Sequence, residues 1–462
     1  MPLRNPFRRP SPAPLDPSFG LLVGDLTGPI ARIDAVGTIA TLDGSWRLEW
    51  GVRAGAEWRI AAQERAVRQS RVDDTPVFET WLRVPGGDVI QRVGVVNDGT
   101  GRAVVIEYEN ASPDAVVVAT AGVAPGALRT GEAGVELDGD PWIVPARAGA
   151  ATVADDIWNA VAADPTGTEA SGRGASAVLT PLPHRQTVTV TVVIDGDRPE
   201  REVTPVEIAA GWRTVTSRAL DLDVPDPDLT GAWRRVVCDL ILAAGDDDPV
   251  MAGEAAWWLD LAGLHDEADR GRLAVLRAAD SGRLDAEAAV VALRALASRE
   301  IRTGEPSALA EVAGPLATLA GDRLDRVTVG LVARALERSA PDAAADARRV
   351  LDVAVLADRE PGSPVAAGAA RVLGHLFADA DVTGVLSMLP SVPASWHGQP
   401  IDVRGMVTGF GRLSFSVRWH GARPAVLWER EGGPEGAELR CEGLDPTWST
   451  IERAGEALLE AP

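Results

Sequence analysis

The stretch Asp228-Leu-Thr230-Gly-Ala-Trp233-Arg-Arg-Val236-Val237-Cys238-Asp-Leu240-Ile241-Leu-Ala-Ala244 decides the fold. Its apolar residues Trp233, Val236, Val237, Leu240, Ile241 and Ala244 recur at helical spacing, so one face of a helix is apolar, with Asp228 or Thr230 as its cap. Immediately before it, Pro225 and Pro227 in the acidic run Leu220–Asp228 break structure and mark a boundary.

Upstream of that boundary the period is 2. Trp46–Trp50 alternates, and so does Val77–Val84, which turns at Pro85-Gly86-Gly87-Asp88 into Val89–Val96. Val104–Glu109 and Val116–Thr120 flank Asn110–Pro113 as a second hairpin-like pair, and Thr187–Ile194 alternates again. Many short strands with regular turns predict an antiparallel sandwich.

Downstream the helical period repeats over 249–262, 266–278, 285–302, 306–320, 325–338, 341–357 and 363–377. Asp248-Pro249, Glu305-Pro306 and Ala340-Pro341 place Pro in the first turn, where its missing N–H costs nothing. Eight helices make four hairpins of about 40 residues each, a length typical of helical repeats. Beyond Pro390 strands return: Leu413, Phe415, Val417 and Trp419 alternate with polar residues, followed by Ala425–Trp428 and Ala437–Cys441, and Trp448–Leu459 predicts a short closing helix.

The expected fold is therefore multi-domain β + α: a Pro/Arg-rich disordered tail (1–18), an antiparallel β-sandwich (19–215), a linker (216–228), an α/α-hairpin, toroid-like domain (229–388), and a small C-terminal β module with a short helix (389–462).

This order resembles the six-hairpin glycosidase superfamily, the glucoamylase-like α/α toroids. Leu259-Asp-Leu-Ala-Gly263-Leu-His265-Asp266-Glu267-Ala268 is similar to a helix-end segment those toroids write as L-D-x-x-G-x-x-D-E-A. Ser281–Asp285, Leu293–Leu296 and Arg302–Leu309 are similar to the next hairpin, and Phe415–Glu429 to the β module that follows the toroid in bacterial members. The resemblance spans roughly 230–440 for the helices and the tail, and implies an α-glycan or oligosaccharide as substrate or ligand. A toroid of that family has twelve helices with long loops, whereas eight helices with short connections read as a shortened relative, degenerate if non-catalytic.

Composition narrows the chemistry. All 45 basic residues are Arg, so Schiff-base, Walker-lysine and kinase-lysine mechanisms are excluded. A net charge of -22 disfavours nucleic acid. Two distant cysteines and five scattered histidines argue against a disulfide framework or a metal centre, and fit a reducing cytoplasm. No membrane span and no cofactor is expected.

Glycoside hydrolysis needs two facing carboxylates. Glu254, in the apolar helical context Gly253-Glu-Ala-Ala-Trp257-Trp258, and Glu429, beside Trp428 at a strand end, are the candidate acid and base; each also reads as an ordinary helix first-turn or strand-end charge. Trp257, Trp396 and His420 are the candidate sugar contacts, because a flat indole covers the C–H face of a pyranose. Trp257 and Trp258 cannot share one helix face. Trp419 reads as core, which turns His420 to the opposite side. His265-Asp266-Glu267 reads as an acid/base pair or as a helix cap. The alternative to a carbohydrate-associated protein is a non-catalytic scaffold of the α-solenoid kind, capped by the β-sandwich.

Overall fold

The computed structural model describes residues 20–131, 133–147, 149–163, 171–305, 307–353, 363–374, 376–378, 385–433 and 435–460, and the expected tail lies outside them. The chain divides into two compact units: residues up to Asp25 with Pro29–Gly211, and Leu26–Gly28 with Trp212–Pro462.

Among the described residues the first unit is a single antiparallel network of fifteen strands that curls on itself. Gly101–Asn110 lies between Gly87–Asn97 and Thr187–Gly196, pairing Tyr108 with Gln91 and Val188. Val116–Gly131 lies between Arg47–Ala54 and Ser171–Leu182, pairing Thr120 with Trp50 and Val178. The expected hairpin of 104–109 with 116–120 does not form. Both segments are strands, but their side chains meet across the core, where Tyr108 Oη lies 3.0 Å from Thr120 Oγ1 and the Tyr108 ring 5.6 Å from Trp50. The loop between them is too well anchored to turn tightly: Asn110 Nδ2 donates to the carbonyls of Asp114 and Leu182. Helix α1 (Ile157–Ala163) packs Ile157 and Val161 on Ala119, Ala121 and Leu179.

Helix α2 (Pro205–Thr216) carries the boundary between the units. The 216–228 stretch is not a free linker. Asp221–Asp223 pairs with Ile401–Thr408, Leu222 is buried opposite Val403, and Trp233 Nε1 donates to Leu220 O at 2.8 Å.

Among the described residues eight helices follow: α3 (Pro227–Ala244), α4 (Pro249–Leu261), α5 (His265–Asp280), α6 (Ala286–Thr303), α7 (Leu309–Ala320), α8 (Arg326–Ser339), α9 (Pro341–Val353) and α10 (Pro364–Leu373). Most fall where the 3.6 period places them, but α7 starts at Leu309 rather than at 306, α10 stops at Leu373 with Phe377–Ala378 a strand, and 354–357 of the expected 341–357 helix lies outside the described residues. Asp226, two residues before the expected cap, accepts from the N–H groups of Asp228 and Leu229, because Pro227 already opens the helix. Asp248, Asp285 and Asp325 cap α4, α6 and α8 in the same way. Helices α4, α6 and α8 form one row, each paired with its successor, α5, α7 or α9; the first and last helices, α3 and α10, pack together at the α4 end. Gly271 lets α5 approach α4 closely, since a Cβ there would run into Ala252 O.

The row is met by the C-terminal β region. Ile401–Thr408 packs on α4 and α6, while Arg334 of α8 donates to Gly409 O at 2.8 Å and lies 3.9 Å over the Phe410 ring. A five-stranded sheet orders Asp221–Asp223, Ile401–Thr408, Gly411–His420, Arg423–Glu431 and Ala454–Leu458, beside a four-stranded sheet containing Asp445–Thr450. The closing helix expected over Trp448–Leu459 is replaced by these last two strands. Gly455 presses on the Trp428 ring with no room for a side chain, and Trp448 meets Trp428 edge-on at 5.2 Å. Backbone pairing and that aromatic contact outweigh the local amphipathic spacing.

Candidate functional site

The two candidate carboxylates lie in different surroundings. Glu254 sits inside α4 at 4 % exposure, and its Oε2 accepts the N–H of Ser363, the residue that caps α10. That bond ties the α4 core to the last helix. Glu429 is exposed on Arg423–Glu431, opposite Ser414 and Ala454.

The aromatic candidates divide likewise. Trp257 is half-buried, its ring 4.9 Å from Trp258 and beneath the Arg294 guanidinium at 5.2 Å. Trp258 is buried, as the two-face argument requires of at least one of them. Trp396 is 3 % exposed and presents no open face. Its neighbour His397 does.

Trp396–Gln399 is a turn closed by Gln399 N–H donating to Trp396 O at 3.1 Å, with Gly398 at φ +82°, the left-handed position a type II turn reserves for glycine. The turn pushes His397 outward, where its ring lies 5.5 Å from Trp419. Trp419 Nε1 donates to Gln399 O at 3.0 Å, so the indole is fixed by its own N–H while its ring stays half-exposed. The sequence pairs Trp396-His397 and Trp419-His420 therefore meet, although through His397 and Trp419 rather than through Trp396 and His420. Strand alternation sends His420 to the other face, exposed at the hairpin end opposite Arg423. Beside it Arg418 holds Asp402 with two bonds, 2.8 and 3.0 Å. The patch thus offers an immobilised indole, an imidazole and the exposed Gln399, whose Nε2 donates to Ser395 O at 2.8 Å.

Sequence reasoning missed a second constellation. Asp260, wholly buried near the end of α4, receives His265 Nδ1–H at 2.9 Å, Arg272 at 2.6 Å and Ser298 Oγ–H at 3.0 Å. Burial alone would raise its pKa; the His265 hydrogen bond and the charges of Arg272 and Arg302 overcome this and hold it below the usual carboxylate range. Arg272 also bonds Asp269, which Arg299 approaches at 3.6 Å. Asp266 and Glu267 do not cap α5: the cap position is Leu264 and makes no side-chain bond, while Glu267 pairs with Arg218. The available signal was an acid inside the apolar run Trp258-Leu-Asp-Leu-Ala with a histidine five residues on. Among the described residues no cluster of His, Cys, Asp and Glu suits a metal ion, and no helix is long and apolar enough to cross a membrane.

No protein-family model and no curated protein matches the sequence. Among solved structures, a bacterial glucoamylase complexed with acarbose is similar over 78 % of this chain and 68 % of its own, with a TM-score of 0.47 and 8 % identity.

Proposed function

We propose that this is a carbohydrate-associated protein that binds an oligosaccharide through the Trp419–His397 patch and does not hydrolyse it. The observation that carries the reading is the meeting of the two Trp-His pairs: a half-exposed indole clamped by its own N–H, beside an exposed imidazole. A flat apolar ring held rigidly covers a pyranose C–H face at little entropic cost, and the imidazole and amide reach its hydroxyls. The lack of lysine fits a neutral ligand gripped by aromatic, Arg and amide groups.

The non-hydrolytic part rests on Glu254 and Glu429. Glu254 uses its carboxylate to hold Ser363 inside the helical core, and Glu429 stands in solvent on an outer strand face. General acid catalysis needs a carboxyl that reaches the leaving oxygen. A carboxylate enclosed by helices and engaged with a backbone N–H does not offer that.

The test is titration of the protein with neutral oligosaccharides, followed by tryptophan fluorescence, with release of reducing ends measured in parallel. Saturable binding weakened about tenfold or more by Trp419→Ala, without release, is expected. Silence across the sugars, or binding unchanged in Trp419→Ala, overturns the binding part; any reducing-end release by the protein overturns the non-hydrolytic part, and its loss in Glu254→Gln would name the acid. The regular row α4, α6, α8 favours an interaction scaffold as second reading, and silence across the sugars transfers the assignment to it.

A further inference from the structure

A different feature of the helical unit is a half-open cleft of about 300 Å³ between the end of α3 and the side of α5. One wall is Ala244, Gly245, Asp246 and Asp247, where α3 stops. This wall is closely packed: a Cβ on Gly245 would overlap the carbonyl of Thr27, which also lines the cleft. The opposite wall is a stripe of α5, Arg270, Leu273, Ala274 and Arg277, at i, i+3, i+4 and i+7, so all four face the same way.

The rim is closed by Arg283, and its position is determined by how α5 ends. Gly282 takes φ +67° and donates to Ala279 O, while Arg283 N–H reaches back to Ala278 O at 2.9 Å. This is the Schellman arrangement, and it folds Arg283 back over the last turn of α5. Arg283 Nε then donates to Ser281 Oγ at 2.9 Å, a bond that does not use the two terminal nitrogens of the guanidinium.

The cleft carries charges of both signs, with Asp246 and Asp247 on one side and Arg270, Arg277 and Arg283 on the other. Acids outnumber arginines by 67 to 45, and some arginines, such as Arg92 with Glu79, Glu107 and Glu109, are surrounded by carboxylates. Among the described residues, Arg277 and Arg283 are both exposed and neither has a carboxylate within ion-pair distance, although they line one cleft. Leu273, half-exposed at 50 %, adds an apolar surface between Arg270 and Arg277. Asp247, exposed on the far wall, can accept from hydroxyl groups.

We infer that this cleft binds a small anionic sugar, its phosphate or carboxylate held between Arg277 and Arg283, its ring on Leu273, and its hydroxyls turned towards Asp247. Two guanidinium groups are suited to a planar or tetrahedral oxyanion. A volume near 300 Å³ suits one sugar ring, not a chain. The site is separate from the Trp419 patch and does not depend on it.

Isothermal titration of the full chain with glucose 6-phosphate, glucuronate, inorganic phosphate and glucose tests the inference. Glucose 6-phosphate or glucuronate is expected to bind saturably, more tightly than glucose, and the stronger of the two identifies the oxyanion. Arg277→Ala and Arg283→Ala are each expected to weaken that ligand by about tenfold or more, since each removes a charge-assisted contact. Trp419→Ala is expected to leave it unchanged. Both arginines are exposed, so the variants fold; their melting temperature checks this. The inference is overturned if none of the anions binds, if glucose binds as well as they do, or if neither arginine variant weakens binding. Inorganic phosphate binding with neither sugar anion binding also overturns it.

Discussion

Asp260→Asn removes one charge from a buried network in the helical unit while keeping the shape of the side chain. In the native chain the carboxylate accepts from His265, Arg272 and Ser298 with no exposure to solvent. The amide turns one acceptor into a donor, so at least one of the three donors loses its partner, and the Arg272 guanidinium, itself 4 % exposed, is left with Asp269 and the His265 carbonyl. Breaking a buried ion pair from one side costs about 3–5 kcal/mol. Asp269→Asn is the internal control: its side chain is 42 % exposed, solvent screens it, and the cost is below about 1 kcal/mol. The assay is urea unfolding followed by tryptophan fluorescence, on the transition that reports the helical unit. The pH dependence has a definite sign. The folded pKa of Asp260 is depressed, so its contribution is complete above the unfolded value near 3.9 and is lost as pH falls through the folded value. The difference between wild type and Asp260→Asn is therefore constant at neutral pH and shrinks in acid. A cost under about 1 kcal/mol, or a difference that grows on acidification, refutes the assignment of Asp260 as the ionised centre of this network.

Gly271→Ala gains about 1 kcal/mol of helix propensity but forces α5 away from Ala252 O, so a net loss of about 1–3 kcal/mol is expected, read from the thermal midpoint. Tyr108 is the single tyrosine, and burial pushes its pKa up to about 12. Its phenolate absorbance is expected to stay absent at pH 10 to 11 and to appear at once when denaturant is added; Tyr108→Phe costs about 1 kcal/mol through the lost bond to Thr120. Cys441 is buried and its thiol pushed up to about 12, so a thiol reagent at pH 8 reacts with it only as fast as the chain opens. A rapid reaction in native buffer counts against that burial.

The helices were legible because their signal is local. The spacing of Trp233, Val237, Leu240 and Ile241 and a proline in the first turn fix a helix whatever it packs against. The last strands were not, because Ala454–Leu458 is held by pairing with Arg423–Glu431 and by Trp428, contacts from outside its own window. The same distinction governs the site. Glu254 was recognisable as a carboxylate in an apolar helix, but the partner that defines its role, Ser363, is distant in sequence. The Trp-His pairs were recognisable as residue types suited to sugar. Which member of each pair is exposed depended on a type II turn at Gly398 and on the indole bond to Gln399, and neither is written in hydrophobic periodicity.

Titration with a series of neutral oligosaccharides, with the imidazole resonances of His397 and His420 resolved by NMR, tests the account most directly. Saturable perturbation of His397 that disappears in Trp419→Ala, with no reducing ends released, is the predicted result. A series in which no sugar moves His397, or in which Trp419→Ala binds as tightly as the wild type, contradicts it.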